Sequence, residues 1–177
     1  ASCSDCPAGK VSEENSAEGA GNCEAGTFGA LGSAICQPCP AGSFSGTGAS
    51  QCDNCGEGTK SEARSATCTN CVAGKFSGKA AESCDDCVAS DGYVSQEGQG
   101  ECTFCGVGTR AVGASNTCEN CFAGKYSEGG TNSCESCLQG LYSDGVGASS
   151  CKSVPAGFKS NTEHTGVVAC PAGEFSI

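Results

Sequence analysis

Cysteines return along this chain in C-x-x-C pairs at a nearly constant step, and that spacing governs every other reading of it. The pairs are Cys36/Cys39, Cys52/Cys55, Cys68/Cys71, Cys84/Cys87, Cys102/Cys105, Cys118/Cys121 and Cys134/Cys137, with Cys3/Cys6 opening the series. From the second cysteine of one pair to the first of the next is 13 residues in most cases, 15 from Cys87 to Cys102 and 14 from Cys137 to Cys151. The period is therefore about sixteen residues. A repeat this short holds one small piece of supersecondary structure, which cannot bury an apolar face alone and must stack on its neighbours.

Other positions keep the same phase. The third residue after the second cysteine is glycine at Gly9, Gly26, Gly42, Gly58, Gly74, Gly108, Gly124, Gly140, Gly157 and Gly173, with Gly92 in the one repeat carrying two extra residues. A glycine held in phase predicts a positive φ or a close backbone approach. Two residues on stands an aromatic in most repeats: Phe28, Phe44, Phe76, Tyr126, Tyr142, Phe175 and the shifted Tyr93. Four of the five prolines follow the second cysteine position. The consensus is C-x-x-C-[P/V]-A-G-x-[F/Y]-S, then a Gly/Ser/Ala-rich loop.

Three vacancies inform the pairing. Ala20 stands where the partner of Cys23 is due, and Val154 and Val167 replace a second cysteine and the following first one. These two valines are 13 residues apart, and joint loss is expected of positions that bond each other. The bridges inferred are Cys23–Cys36, Cys39–Cys52, Cys55–Cys68, Cys71–Cys84, Cys87–Cys102, Cys105–Cys118, Cys121–Cys134 and Cys137–Cys151. The rival scheme, joining a first cysteine to the second cysteine of the next pair, strands Cys39 and Cys134. The first scheme is preferred. Each bridge closes a loop of about 14 residues, worth about 3 kcal/mol against the unfolded chain in the entropic account.

Composition explains why cross-links are needed. The 177 residues include 19 cysteines, 28 glycines and only ten aromatics, with no tryptophan or methionine. Such a chain cannot build a sizeable continuous core. No 3.6-residue apolar pattern is present, and Gly-x-aromatic-Ser followed by a Gly/Ser turn reads as a short extended segment that doubles back. The fold class expected is small, disulfide-rich and mostly irregular with short β-hairpins: an elongated, solenoid-like rod of about sixteen-residue C-x-x-C repeats, each touching only its neighbours. One tandem array of about eleven repeats spans 1–177. A longer period lies over it, because the aromatic position is basic at Lys60, Arg110 and Lys159, three repeats apart. It divides the array into three-repeat blocks, 6–55, 55–105 and 105–154, reflecting an ancestral duplication, a superhelix with about three repeats per turn, or both.

The repeat, with its Pro-Ala-Gly-x-Phe-Ser strings at 40–45 and 171–176, resembles the ephrin-receptor-like cysteine-rich repeat. That group lies near the tumour-necrosis-factor-receptor and EGF-like modules, and similar arrays occur in protist and algal surface and fibre proteins. The resemblance covers essentially the whole chain and implies extracellular, disulfide-linked β modules in stalks, ectodomains or fibres. It implies neither a reaction nor a particular ligand.

Charge narrows the partners. The formal net charge is −11, from 20 acidic and 9 basic residues. Nucleic acid is disfavoured for want of a basic footprint. No apolar run approaches the 18 or so residues needed to cross a bilayer, so no membrane insertion is expected within this segment. The opening Ala-Ser-Cys reads as a processed or excised segment.

Catalytic and metal chemistry find little support. Two C-x-x-C pairs at this step can form a four-thiolate metal site, but so regular a run, broken at Ala20, Val154 and Val167, reads as bridges instead. Redox use of C-x-x-C needs a helix N-terminus that the flanks do not offer. The single histidine, His164, has no partner histidine for a metal or catalytic set and reads as a surface residue. Asp53, Asp85, Asp86, Glu119 and Glu135, between paired cysteines, lack the alternating pattern of a calcium loop and read as solvated. No enzyme, cofactor or metal is expected. There is no Asn-x-Ser/Thr sequon, while Ser/Thr-rich loops leave O-glycans open.

Apolar residues off the repeat's core position are candidates for an interface: Phe104, Phe122, Leu138 and Leu141, together with Phe158, Val72 and Val88. Cys3, Cys6 and Cys170 lack partners in the bridging scheme and are candidates for joints between subunits or for a fragment's ends, the further alternative being a Cys3–Cys6 bridge with Cys170 free. The role expected is a non-enzymatic extracellular structural protein that self-assembles into a cell-surface or appendage filament. The alternative is a receptor or adhesion ectodomain binding a protein ligand. The partner expected is therefore a second copy or a protein ligand.

Overall fold

The computed structural model describes residues 6–12, 20–113, 116–171 and 173. Cys3 lies outside them. The chain divides into two compact units, Ala1–Asp86 with Glu97–Glu101, and Cys87–Gln96 with Cys102–Ile177. Among the described residues the secondary structure is ten two-stranded antiparallel ladders, a single 3-10 turn and isolated parallel bridges pairing Phe28 with Ala49, Phe44 with Ser65 and Lys60 with Ala81.

Each ladder belongs to one repeat, best counted from its second cysteine. In residues 39–54, Ser43–Phe44 pairs with Asp53–Asn54, Cys39 is bonded to Cys52, and the Cys55 N–H donates to the Gly42 carbonyl at 2.9 Å. The hairpin and its bridge recur with Cys23–Cys36, Cys55–Cys68, Cys71–Cys84, Cys87–Cys102, Cys105–Cys118, Cys121–Cys134 and Cys137–Cys151, and Cys39, Cys71, Cys105, Cys121 and Cys137 make the same N–H bond to a glycine carbonyl. Strands of two to four residues are too short to hold a sheet, so the bridge and the turn fix each hairpin. The repeat from Cys87 to Cys102, two residues longer than most, accommodates the extra length in the 3-10 turn Ala89–Asp91, which ends on Gly92 in the left-handed region at φ 78°.

Successive repeats are joined through the backbone. Gly26, Gly42 and Gly58 donate their N–H groups to the carbonyls of Ser45, Ser61 and Ser77 in the following repeat, at 2.7–2.9 Å. In the second compact unit Gly108 and Gly124 donate likewise to Ser127 and Ser143.

Burial falls in a different place from the expected one. Among the described residues the aromatic rings are half-buried or exposed, whereas the second cysteine and the serine after the ring are buried, as at Cys39 and Ser45; Phe175 lies outside the described residues. Strand alternation is the reason: Ser43 and Ser45 point inward, so Phe44 between them points out. The buried hydroxyls are satisfied across repeats, with Ser45, Ser61 and Ser77 donating to the carbonyls of Thr27, Ser43 and Thr59 at 2.9–3.0 Å.

Contact also reaches beyond the adjacent repeat, contrary to the nearest-neighbour expectation. A Cβ placed on Gly42 would lie 2.1 Å from the carbonyl oxygen of Ala80, two repeats on, and Gly26 meets Arg64 in the same way. In the second compact unit Gly108 meets Gly147 and Gly124 meets Glu163. The 13-residue loop is long enough to lay its tip over a glycine two repeats back, and only a bare Cα admits it.

That loop tip is a second left-handed position. Gly48, Arg64, Ala80, Gly98, Gly130, Gly147 and His164 all have positive φ there. At Ala80, φ 55°, the Cβ carries a steric penalty that glycine lacks. Ala80→Gly is therefore expected to stabilise its loop by roughly 0.5–1 kcal/mol after allowing for the freer unfolded chain. The readout is about threefold slower hydrogen exchange at amide 80, which bonds to the Cys55 carbonyl.

Candidate interaction surface

The hairpins set two rows of side chains side by side. In most ladders the ring position lies across from the residue after the first cysteine: Phe44 opposite Asp53, Phe76 opposite Asp85, Arg110 opposite Glu119, Tyr126 opposite Glu135; in the lengthened repeat Val94 takes that register, opposite Thr103, and the shifted Tyr93 faces Phe104. Arg110 pairs with Glu119 at 3.3 Å, and the Tyr126 hydroxyl donates to Glu135 at 2.7 Å. That hydrogen bond, and then the charge of the same carboxylate, holds the Tyr126 phenol above its ordinary ionisation range. Asp86 is ion-paired with Lys75. These acidic groups are exposed, and among the described residues no cluster of three or more His, Cys, Asp or Glu could hold a metal ion.

The apolar candidates separate into two kinds. Phe122 and Leu138 follow the second cysteine of their repeats and are 70% and 73% exposed, and Val72 and Val88 stand at the same place in theirs. Phe104 is partly exposed, but its ring packs edge-on against Tyr93, centroids 5.3 Å apart, and abuts Gly130. Leu141 is half-buried within the strand Leu141–Tyr142, so it presents little free surface. Leu31, Ile35, Val107 and Val146 are also exposed, and no repeat pattern marks them in the sequence.

Cys6 is disulfide-bonded and fully buried. Cys170 is free and half-buried, with its N–H donating to Gly157 as a second cysteine's does to its own repeat's glycine. His164 is half-buried at a loop tip, with Nδ1 3.2 Å from the Leu141 carbonyl, while its own carbonyl accepts from Ser143. These contacts tie its loop tip to the preceding repeat.

Among the described residues no helix is long and apolar enough to cross a membrane. No curated protein matches the chain. Residues 124–170 match the family model described as tyrosine-protein kinase ephrin type A/B receptor-like. The matched stretch includes the Cys137–Cys151 bridge and three of the in-phase glycines, Gly124, Gly140 and Gly157. The chain is a cysteine-rich repeat array, similar over 124–170 to the ephrin-receptor-like module.

Proposed function

We propose that this chain is a non-enzymatic structural protein of the cell exterior whose copies associate into a surface or appendage filament. The observation carrying this reading is the set of eight short covalent loops, which persist in oxidising compartments and would be reduced in a cytosol. Apolar side chains held in the open at one repeat position, Phe122 and Leu138 above all, offer surface for a second copy. Negative-stain electron microscopy of the unreduced protein, beside a reduced sample, tests it. Uniform filaments with an axial repeat that collapse on reduction are expected; single particles at every concentration would overturn it.

The second reading is a receptor or adhesion ectodomain. The match of 124–170 to an ephrin-receptor-like family model favours it, since modules of that kind belong to ectodomains that bind protein ligands.

A further inference from the structure

The second compact unit holds a recess that the repeat itself does not require. In residues 121–136 the loop after the ring position contains Gly129 and Gly130, both left-handed at φ 91° and 67°. It folds back to leave a cavity of about 200 Å³ beside Tyr126, lined by Glu128, Glu135, Ser127, Thr131 and Ser133. Ser127 occupies the place of Ser45, Ser61 and Ser77, whose hydroxyls donate to the preceding repeat. Although only 3% exposed, it turns to its own loop: Oγ accepts the Gly129 N–H at 3.0 Å and lies 3.4 Å from Thr131 Oγ1.

Most of the hydroxyl protons in this recess are already committed. Tyr126 donates to Glu135 at 2.7 Å, and Thr131 donates to the Ser133 carbonyl at 2.7 Å, which leaves Ser127 as the donor toward Thr131. What remains to face a ligand is the Glu128 carboxylate, further acceptor capacity on Glu135, the Ser133 hydroxyl and the Tyr126 ring. No lysine or arginine lines the space. A divalent ion needs about six oxygen ligands, and no cluster of three acidic or metal-binding residues is present among the described residues. A sugar's hydroxyls must accept as well as donate, and they would find few donors. A primary ammonium has three N–H donors and no acceptor, and it is attracted both to carboxylates and to an aromatic face.

We propose that this recess binds a primary ammonium group, carried by a free alkyl amine or by a lysine side chain of another protein. Glu128 and Glu135 accept its N–H donors, and the Tyr126 ring lies along the methylene stem. The proposal is independent of the filament and ectodomain readings.

The test is titration of the unreduced, ¹⁵N-labelled chain with cadaverine, with the peptide acetyl-Gly-Lys-Gly-amide, and with glucose, at matched ionic strength. Expected are saturable amide shifts confined to residues 126–135, none with glucose, and at least about tenfold weaker binding in Glu128→Gln/Glu135→Gln. Binding of cadaverine alone would mark a free-amine site, and binding of both a lysine site. Nuclear Overhauser contacts from cadaverine methylenes to the Tyr126 ring in the unaltered chain give a readout that needs no variant. The proposal is overturned if neither amine gives saturable shifts, if the shifts spread over carboxylate-bearing repeats alike, or if the double variant binds as tightly.

Discussion

Gly42→Ala is expected to cost the folded chain about 3 kcal/mol, and Gly157→Ala only about 1 kcal/mol. The two glycines have nearly the same backbone conformation, φ 81° and 83°. Alanine in the left-handed region costs roughly 1–2 kcal/mol, partly offset by the stiffer unfolded chain. They differ in what a methyl group meets. At Gly157 a Cβ has nothing among the described residues within 4 Å, whereas at Gly42 it falls 2.1 Å from the Ala80 carbonyl oxygen. The obstacle is backbone, pinned by the Ala80 N–H to the Cys55 carbonyl at 2.9 Å and by the Cys71–Cys84 bridge, so the tip must lift away. Overpacking of this kind adds about 1–3 kcal/mol. A repeat array does not unfold as one step, so the cost is best read locally. Amides 64 and 80, which bond to Cys39 and Cys55, should exchange about a hundredfold faster in Gly42→Ala. Equal effects at the two glycines would show that only the dihedral matters and that the second-neighbour contact carries no weight.

The second large effect runs the other way. Val154→Cys/Val167→Cys is expected to close a new bridge spontaneously and to stabilise its repeat by about 2–3 kcal/mol. The backbone keeps the disulfide's place although the sulfurs are gone. The Val154 N–H donates to the Gly140 carbonyl at 3.0 Å, as Cys137 does to Gly124. Val167 pairs with Ser160, as Cys118 pairs with Ala111 one residue after the ring position. Bridged cysteines elsewhere have Cα–Cα distances of 5.4–5.9 Å. Intact mass should fall by the two hydrogens lost on oxidation, residues 154 and 167 should resist alkylation until reduced, and exchange at amides 158–160 should slow. Two free, alkylatable thiols would mean that the valines have drifted from the cysteine geometry.

Much of this fold is legible in one dimension because its determinants are covalent or glycine-specific. A step of 13 residues from Cys39 to Cys52, repeated down the chain and lost at both ends together in Val154 and Val167, leaves a mark that needs no third dimension. The in-phase glycines predict left-handed backbone for the same reason, and Gly9, Gly26 and Gly42 have it. The loop-tip position was hidden because Arg64, Ala80 and His164 occupy it without being glycine, held there by hydrogen bonds to neighbouring repeats.

Burial was misleading for a different reason. A ring is the obvious core residue by size, but a two-residue strand in a thin module gives the inward side to its smaller neighbours. Ser45 and Ser61 are therefore buried where Phe44 is not. The recess beside Tyr126 depends on where the Ser127 hydroxyl points, which no spacing records. Among the interface candidates, position explains the outcome: Phe122 and Leu138 directly follow a bridged cysteine, ahead of the strand, and stay exposed, while Leu141 lies inside a strand.

The account rests above all on covalent loops closed within single repeats, so the decisive measurement is peptide mapping of the unreduced, alkylated protein by mass spectrometry. It should recover the linked pairs 23–36, 39–52, 55–68, 71–84, 87–102, 105–118, 121–134 and 137–151, with alkylation at Cys170 before reduction. Pairs shifted to the next repeat, such as Cys36 with Cys55, or cysteines labelled throughout the chain before reduction, would contradict it.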